Sequence, residues 1–416
     1  MAVRHGYGKI AGTDALVFAY DTGDTINSYR GEPTENLTTD TPSQNGWGGS
    51  YSVLESSSKT FQMQLDQAGA ATAWRSWYWD VSSYQGSYIT ISFDFEVVET
   101  SGADLLYFIM GQGNTGTYPN FLGNSAEADR VVDYSGVSRH FTWSGVINAA
   151  GLVGCTMRMT NGVTNGYIRF KILNVQIEAK DHETPFVNGT RSATQGLLDL
   201  TGNSTIDLSN VSFDSNAQME FDGTNTYIPK FTDSRFQFVN ANLTYEVVVN
   251  FESNPNTYQT LIGLADTNDY VPRINLSKAR SELSMNGVLG PVYMQLIDQN
   301  NSGNTVRDPD LSGADLLAGG YYHYVGVIEK PSGDSTYIVK LYRNGKLVST
   351  GNSGKTTYDT TQNVEGSIGL AIGTQFGQNT TSILDGQLPV VKVYNRALTA
   401  AEVQSNYRHY KKRFNI

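Results

Sequence analysis

Alternation of apolar and polar residues with a period of two is the feature that most limits how this chain can fold. In the stretch 88–98, five apolar side chains fall on one face: Ile89, Ile91, Phe93, Phe95 and Val97. Successive side chains of a β-strand point to opposite faces, so this pattern predicts a strand with one buried face. Each of the five side chains contributes roughly 1.5–3 kcal/mol when fully buried.

Further stretches predict strands in the same way, and helical spacing is rare. The stretch 166–179 shows a change of phase near Ile172 and Leu173, which predicts a β-bulge. Asn344 and Gly345 lie between two alternating runs and suit a type I′ turn, because both residues tolerate a positive φ. The sequence therefore predicts an all-β protein built from β-sandwich, jelly-roll domains.

The C-terminal stretch combines one strand with one short helix. Val391 and Val393 alternate with polar or amphipathic neighbours and predict a strand. Thr399 and Glu402 stand three residues apart and predict a capping box at the start of a helix. We therefore expect a strand that joins a sheet, followed by a short C-terminal helix that packs beside it.

Composition excludes several classes of function. The chain of 416 residues has a formal net charge of −11, which argues against a nucleic-acid groove and against an anionic membrane surface. Its single cysteine, Cys155, rules out an intramolecular disulfide and fits synthesis in a reducing cytoplasm. No apolar run approaches the roughly 20 residues needed to cross a bilayer, and no secretion signal is visible. We expect neither nucleic-acid binding nor membrane insertion.

Several segments of the sequence resemble one protein family. The segment 384–403 reads LDGQLPVVKVYNRALTAAEV and resembles the C-terminal signature of concanavalin A-like lectin domains of the laminin-G type. The segment 219–228, MEFDGTNTYI, resembles another element of that family. The ending NYRHYKKRF at 406–414 resembles versions found in structural proteins of tailed bacteriophages. The resemblance implies a lectin-like β-sandwich, in a fold that serves lectins, hydrolases and structural parts alike.

The order of these segments along the chain suggests two nested domains. The segment 15–30 resembles the first strand and loop of the lectin-like domain, whose continuation LTGN occurs only at 200–203. We therefore expect an N-terminal arm and first strand at 1–40, an inserted jelly roll at 41–185 and the lectin-like domain at 186–416. An N-terminal arm followed by two domains in series is the alternative. The jelly roll resembles carbohydrate-binding modules, and the connector TPFVNGTR resembles one found in tail-fibre and virion proteins.

One aromatic cluster is a candidate carbohydrate-binding site. Three of the five tryptophans fall within six residues, and the candidate residues are Trp74, Trp77, Tyr78 and Trp79. In a strand, Trp77 and Trp79 share one face. Aromatic rings stack on sugars, and they also fill sandwich cores and protein interfaces. The cluster is therefore a glycan platform, part of a core or part of a protein interface, and the sequence does not choose among the three.

A cation site is the second candidate. Asp266, Asn268 and Asp269 carry the hard oxygen ligands that calcium prefers, and lectin-like domains often bind calcium. A plain turn would also explain these residues. Apart from calcium, no cofactor is expected.

No catalytic residues are predicted. A glycosidase needs two carboxylates that flank the scissile bond. Asp94 and Glu96 stand two residues apart, but a solvated strand face explains them. Glu220 and Asp222 have the same spacing, and Asp222 lies in the turn element of the resemblance.

These features together predict a non-enzymatic structural protein of a bacteriophage virion. We expect a fibre, decoration or adhesion component on the virion surface, assembled in the host cytoplasm. Its expected partners are other virion proteins, further copies of the chain and a host-surface glycan. The alternative is a polysaccharide depolymerase that acts on host capsule, and a secreted bacterial lectin is a third hypothesis.

Overall fold

The structure is a computed structural model that describes most of the chain. The described residues are 12–38, 42–47, 50–57, 59–66, 74–102, 105–113, 138–159, 166–216, 218–265, 273–298, 302–359, 369–374 and 382–416.

Strands dominate the described residues. In the first half of the chain they are β1 Leu16–Asp21, β2 Thr34–Glu35, β3 Ser43–Trp47, β4 Ser50–Ser57, β5 Thr60–Asp66, β6 Trp74–Asp80, β7 Tyr88–Ser101, β8 Leu105–Gln112, β9 Ser138–Val146, β10 Leu152–Met159, β11 Tyr167–Glu178 and β12 Thr190–Arg191. In the second half they are β13 Ser212–Phe213, β14 Met219–Asp222, β15 Ile228–Phe231, β16 Leu243–Phe251, β17 Gln259–Ala265, β18 Arg273–Lys278, β19 Ser284–Met285, β20 Val288–Leu289, β21 Val292–Ile297, β22 Gly303–Arg307, β23 Tyr321–Glu329, β24 Ile338–Arg343, β25 Lys346–Asn352, β26 Gly369–Ile372 and β27 Asp385–Tyr394.

Helices are few in the part of the chain that the structure describes. The α-helices are α1 Gly313–Ala318 and α2 Ala400–Phe414, and the 3-10 helices are Thr13–Ala15, Ser82–Tyr84 and Ser234–Phe236. The predicted all-β class with a short C-terminal helix is therefore confirmed. None of the described helices has the length and apolar character that a membrane span requires.

The chain divides into two compact units. Unit 1 combines the N-terminal segment up to Glu32 with the residues from Ala193 to the C-terminus, and unit 2 contains Pro33–Ser192. A short piece around residue 215 groups with unit 2. The boundaries of the compact units thus fall after residues 32 and 192, where the sequence suggested 40 and 185.

Unit 1 is a sandwich of two antiparallel sheets. One sheet has the order β13-β14-β27-β16-β23-β24-β25, with β1 also paired to β27, and the other has the order β15-β26-β17-β18-β21-β22. β1 pairs with β27 from Leu16 opposite Tyr394 to Asp21 opposite Val390. The N-terminal strand is therefore part of the same sheet as the last strand of the chain. The two sheets enclose a continuous apolar core in which Tyr245, Leu276 and Val391 are fully buried.

The local signals in unit 1 are formed as predicted. Asn344 and Gly345 have φ values of 48° and 77° and join β24 to β25, as a type I′ turn requires. Thr399 accepts a hydrogen bond from the backbone N–H of Glu402, whose carboxylate accepts from the backbone N–H of Thr399. This capping box starts α2, and the helix ends at Asn415 in the left-handed region.

A buried polar network fixes α2 to the outer face of the larger sheet. The Glu246 carboxylate of β16 accepts hydrogen bonds from His323 Nε2 at 2.9 Å, Tyr394 Oη at 2.6 Å and Asn406 Nδ2 at 2.8 Å. Lys392 Nζ lies 3.9 Å from the same carboxylate. Burial alone raises the pKa of Glu246, but Lys392 and the hydrogen-bond donors outweigh burial and lower this pKa to about 2. The network is therefore built around a charged carboxylate inside the fold.

Unit 2 is a second sandwich. One sheet has the order β4-β5-β11-β7-β9 and the other the order β3-β6-β10-β8. The pairing of β11 with β7 shifts register between Leu173 and Gln176, where Asn174 takes a φ of 54°. The predicted change of phase near Ile172 and Leu173 therefore corresponds to a bulge one or two residues further along.

Candidate functional site

A groove in unit 1 lies where the edge strands of its two sheets meet. β22 is the last strand of the smaller sheet and β25 the last strand of the larger one. Together with the β19–β20 hairpin they enclose a cavity of about 550 Å³. Its lining residues are Met285, Asn286, Asn304, Thr305, Val306, Arg307, Pro309, Val348, Ser349, Thr350 and Gly351.

The groove offers the mixture of groups that binds a polar ligand with apolar patches. Its polar side chains are two amides, three hydroxyls and one guanidinium, which belong to Asn286, Asn304, Thr305, Ser349, Thr350 and Arg307. Its apolar side chains come from Met285, Val306, Pro309 and Val348. A small number of convergent polar groups on a partly apolar surface is the usual composition of a ligand site.

The floor of the groove is held in place by hydrogen bonds. Asn304 Nδ2 donates to the carbonyl oxygen of Asn352 at 2.6 Å, and Asn304 Oδ1 accepts from the backbone N–H of Thr305 at 2.8 Å. Gln295 Nε2 donates to Thr305 Oγ1 at 3.0 Å. Since Asn304 bridges β22 to β25, the two walls of the groove keep a fixed spacing.

The hairpin beside the groove depends on a tight turn. Asn286 and Gly287 have φ values of 53° and 87° and connect β19 to β20. Two successive positive φ values suit Asn-Gly in a two-residue turn. The turn places Met285 and Asn286 in the wall of the groove.

A buried ion pair supports the loop that follows β22. The Asp308 carboxylate is fully buried, and Arg343 Nη1 lies 2.6 Å from both of its oxygens. Tyr324 Oη donates to the same carboxylate at 2.8 Å, and Arg343 Nη2 also contacts Asp310 at 3.1 Å. Burial lowers the pKa of Arg343, but Asp308 outweighs burial, so this pKa is raised. This pair holds Arg307 and Pro309, the neighbours of Asp308, at the groove.

The sugar-platform interpretation of the tryptophan cluster is wrong for Trp77 and Trp79. The two residues are 0% and 3% exposed and lie in the core of unit 2. The Trp77 ring meets that of Phe170 edge to face, with centroids 5.1 Å apart, and the Trp79 ring packs against Phe61. A ring enclosed between two sheets has no free face for a sugar, so the core interpretation holds for these two residues.

The other two members of the cluster lie differently. Tyr78 is half-buried and points to the opposite side of β6 from Trp77 and Trp79. The backbone of Trp74 begins β6, but its side chain lies outside the described residues. β6 therefore does not present the predicted group of rings to solvent.

The calcium site stays a prediction. Asp266, Asn268 and Asp269 lie outside the described residues. Among the residues that are described, no three His, Cys, Asp or Glu side chains are grouped so as to hold a metal ion.

The carboxylates of Asp94 and Glu99 on β7 are engaged in surface contacts. Asp94 Oδ1 and a Glu183 carboxylate oxygen each lie 2.9 Å from a ring nitrogen of His140, and Asn174 donates to Asp94 Oδ2. Burial lowers the pKa of His140, but the two carboxylates outweigh it and raise this pKa. Glu99 pairs with Arg169. These contacts agree with the interpretation of a solvated strand face.

In unit 1, the turn interpretation of Asp222 is confirmed. Its Oδ1 accepts hydrogen bonds from the backbone N–H groups of Thr224, Asn225 and Thr226 at 2.9, 2.9 and 3.0 Å. Burial raises the pKa of Asp222, but these donors outweigh burial and lower it. Asp222 is therefore a turn-forming residue.

Sequence reasoning did not find the groove. Its walls come from three separate stretches, 285–286, 304–309 and 348–351, and none of them carries a ligand-binding motif. The Asn-Gly turn at 286–287 is the one local signal in the region, and it indicates a hairpin without indicating a site.

One family model matches a segment of unit 1. Residues 222–404 match the family model Laminin_G_3, described as the concanavalin A-like lectin/glucanases superfamily. No curated protein matches the sequence.

Three of the solved structures that match this chain come from different organisms. The CBM40 domain of the Ruminococcus gnavus IT-sialidase, bound to α2,3-sialyllactose, has 16% identity and a TM-score of 0.34 over 45% of this chain and 94% of that one. Domain 4 of a GH43 extracellular arabinanase from Geobacillus stearothermophilus, in complex with arabinotriose, has 16% identity and a TM-score of 0.33 over 52% and 93%. A Trypanosoma rangeli sialidase has 14% identity and a TM-score of 0.34 over 51% and 30%. These values are too low to carry an argument about ligands. Unit 1 is thus a lectin-like β-sandwich, and its segment 222–404 matches the concanavalin A-like lectin/glucanases superfamily.

Proposed function

We propose that this protein is a non-enzymatic, glycan-binding structural component on the surface of a bacteriophage virion. The observation that carries the glycan part of the proposal is the groove between β22 and β25, on a sandwich of lectin-like type. Its amides, hydroxyls and guanidinium can exchange hydrogen bonds with sugar hydroxyls, while its aliphatic side chains contact the C–H surfaces of a sugar.

The virion part of the proposal has different support. It rests on the C-terminal segment 406–414 and the connector at 184–191, which resemble segments of tailed-bacteriophage structural proteins. Repetition on a symmetric particle would also raise the avidity of a site that binds one glycan weakly. Further copies of the chain and other virion proteins are the partners that this role requires.

Blocking the groove tests glycan binding. Thr350 is exposed in the wall of the groove, and Thr350→Trp places a large ring there without touching the core. Gln404→Trp adds the same ring at an exposed position of α2, away from the groove, and serves as the matched control. We expect immobilised host-surface polysaccharide to retain the wild-type protein and the control but not Thr350→Trp, with equal thermal stability for all three.

Two results would contradict the glycan proposal. Equal retention of Thr350→Trp and Gln404→Trp would remove the groove as the site. Release of reducing ends from the polysaccharide by the purified wild-type protein would show a depolymerase in place of a non-enzymatic binder.

Immunogold labelling of purified particles tests the virion role separately. Label at the tail tip or baseplate would support adsorption to the host, and label over the head or neck would support decoration. Absence of label from all particles, with an antibody that recognises the free protein, would overturn the virion part and leave the groove proposal standing.

A further inference from the structure

Arg307 differs from the other half-buried arginines of unit 1. Three of them with described side chains each contact a carboxylate: Arg235 contacts Asp233, Arg343 contacts Asp308 and Arg396 contacts Glu402. Arg307 is half-buried and lines the groove, and none of the ion pairs among the described residues includes it. Arg307 therefore places a cationic guanidinium at the groove.

The nearest acidic residues in the sequence are already occupied. Asp308 is buried against Arg343 and Tyr324, and Asp310 contacts Arg343 Nη2. β22 thus ends with an arginine in the groove, followed by carboxylates that are held by a different arginine. Neither of these carboxylates pairs with Arg307, so its guanidinium can pair with an anionic ligand.

We propose that the groove binds an acidic glycan and that Arg307 pairs with a carboxylate on one of its sugars. This inference rests on the proposed glycan-binding function and specifies its substrate class. The guanidinium is planar and donates two parallel hydrogen bonds to a carboxylate, which gives both energy and orientation. Ser349, Thr350 and Asn304 line the same groove, so their polar groups are available to the hydroxyls of the sugar that carries the carboxylate.

The negative charge of the chain makes binding of an acidic glycan dependent on a local positive group. With a formal net charge of −11, the protein repels polyanions unless a local positive group receives them. Binding of an acidic glycan at the groove therefore depends strongly on Arg307. It also weakens as salt screens the contact.

The experiment compares Arg307→Gln with Arg408→Gln on paired polysaccharides. Arg408 is exposed on α2 and outside the groove, so both variants change the net charge equally. The panel contains uronic-acid capsular polysaccharides, each beside its carboxyl-reduced form, together with neutral and phosphate-bearing polysaccharides. Biolayer interferometry at two salt concentrations measures the dissociation constants, and thermal unfolding verifies that both variants are folded.

We expect the wild-type protein and Arg408→Gln to bind one or more uronic-acid polymers and to lose affinity for the carboxyl-reduced forms. Arg307→Gln should bind the acidic polymers about tenfold or more weakly, which corresponds to the loss of a hydrogen-bonded charge pair. Its affinity for the carboxyl-reduced forms should equal that of the wild type.

Three other results would overturn the inference, and they differ in what they mean for the proposed function. Binding restricted to neutral polysaccharides, or acidic binding that Arg307→Gln leaves unchanged, would overturn the inference and leave the proposed function intact. Preference for phosphate-bearing over all carboxylate-bearing polymers would overturn the choice of carboxylate. Failure to bind any polysaccharide would overturn both the inference and the proposed glycan binding.

Discussion

Neutralising Glu246 should destabilise unit 1 far more than a surface change of the same kind. The carboxylate is 0% exposed, accepts three hydrogen bonds and lies 3.9 Å from Lys392 Nζ, which is also buried. Glu246→Gln keeps the shape but turns one acceptor into a donor and removes the larger of the two carboxylate charges that act on the buried Lys392, leaving Asp21 as the other. Removing one partner of a buried pair costs about 3–5 kcal/mol.

The effect can be measured as the free energy of unfolding in urea and as a melting temperature. A loss of this size lowers the melting temperature by roughly 6–20 °C for a unit of about 250 residues. Glu329→Gln is the matched control, because Glu329 pairs with Lys340 at the surface and both side chains are partly exposed. That change should cost less than about 1 kcal/mol.

A second substitution separates charge from packing. Lys392→Met in the Glu246→Gln background removes the buried ammonium and should recover part of the lost stability. The pKa of Glu246 is lowered to about 2, so its stabilisation is complete above the ordinary glutamate pKa and is lost as the pH falls towards 2. If Glu246→Gln costs no more than Glu329→Gln, the carboxylate does not hold α2 to the sheet and the reasoning fails.

Three further outcomes follow from packing, titration and turn geometry. Trp77→Ala removes a fully buried ring from the core of unit 2 and should lower the free energy of unfolding by about 3–5 kcal/mol; a cost below about 1 kcal/mol would mean that the ring is not in the core. The pKa of His140 is raised by its two carboxylate partners, so its stabilisation is present below the ordinary histidine pKa and is lost as the pH rises through the raised value. Because the ring is 51% exposed, we expect the free energy of unfolding to change by at most about 1 kcal/mol between pH 5 and 8. The change should be absent in His140→Gln, and a change of the same size in that variant would exclude His140 as its source. Gly345→Ala should cost on the order of 1–3 kcal/mol, since φ is +77° and the added Cβ meets Tyr407 at 2.8 Å. Gly333→Ala, with φ +92° and open space around it, should cost less, and equal melting temperatures for the two variants would show that the close approach is unimportant.

The groove could not be predicted from the sequence. The clustering of aromatic residues suggested Trp77 and Trp79 as a sugar platform, but the large apolar face that lets a ring stack on a sugar also lets it pack in a core. The period of two places both rings on one face of β6 without telling which face is enclosed. The residues that do line a cavity, such as Asn304 and Thr350, are common polar residues in separate stretches and form no motif.

The sequence by itself determined the features that depend on neighbouring residues. Backbone sterics and hydrogen bonds within a few residues dictate the Asn344–Gly345 turn and the capping box of α2, and both are present. The five apolar side chains predicted for one face of β7 are buried, but Thr90 and Ser92 on its other face are buried as well. Tertiary structure decided the rest, because burial and proximity depend on which distant strands pair. β1 lies beside β27, more than 350 residues later in the chain, and the Glu246 network and the groove both exist only after such pairings have formed.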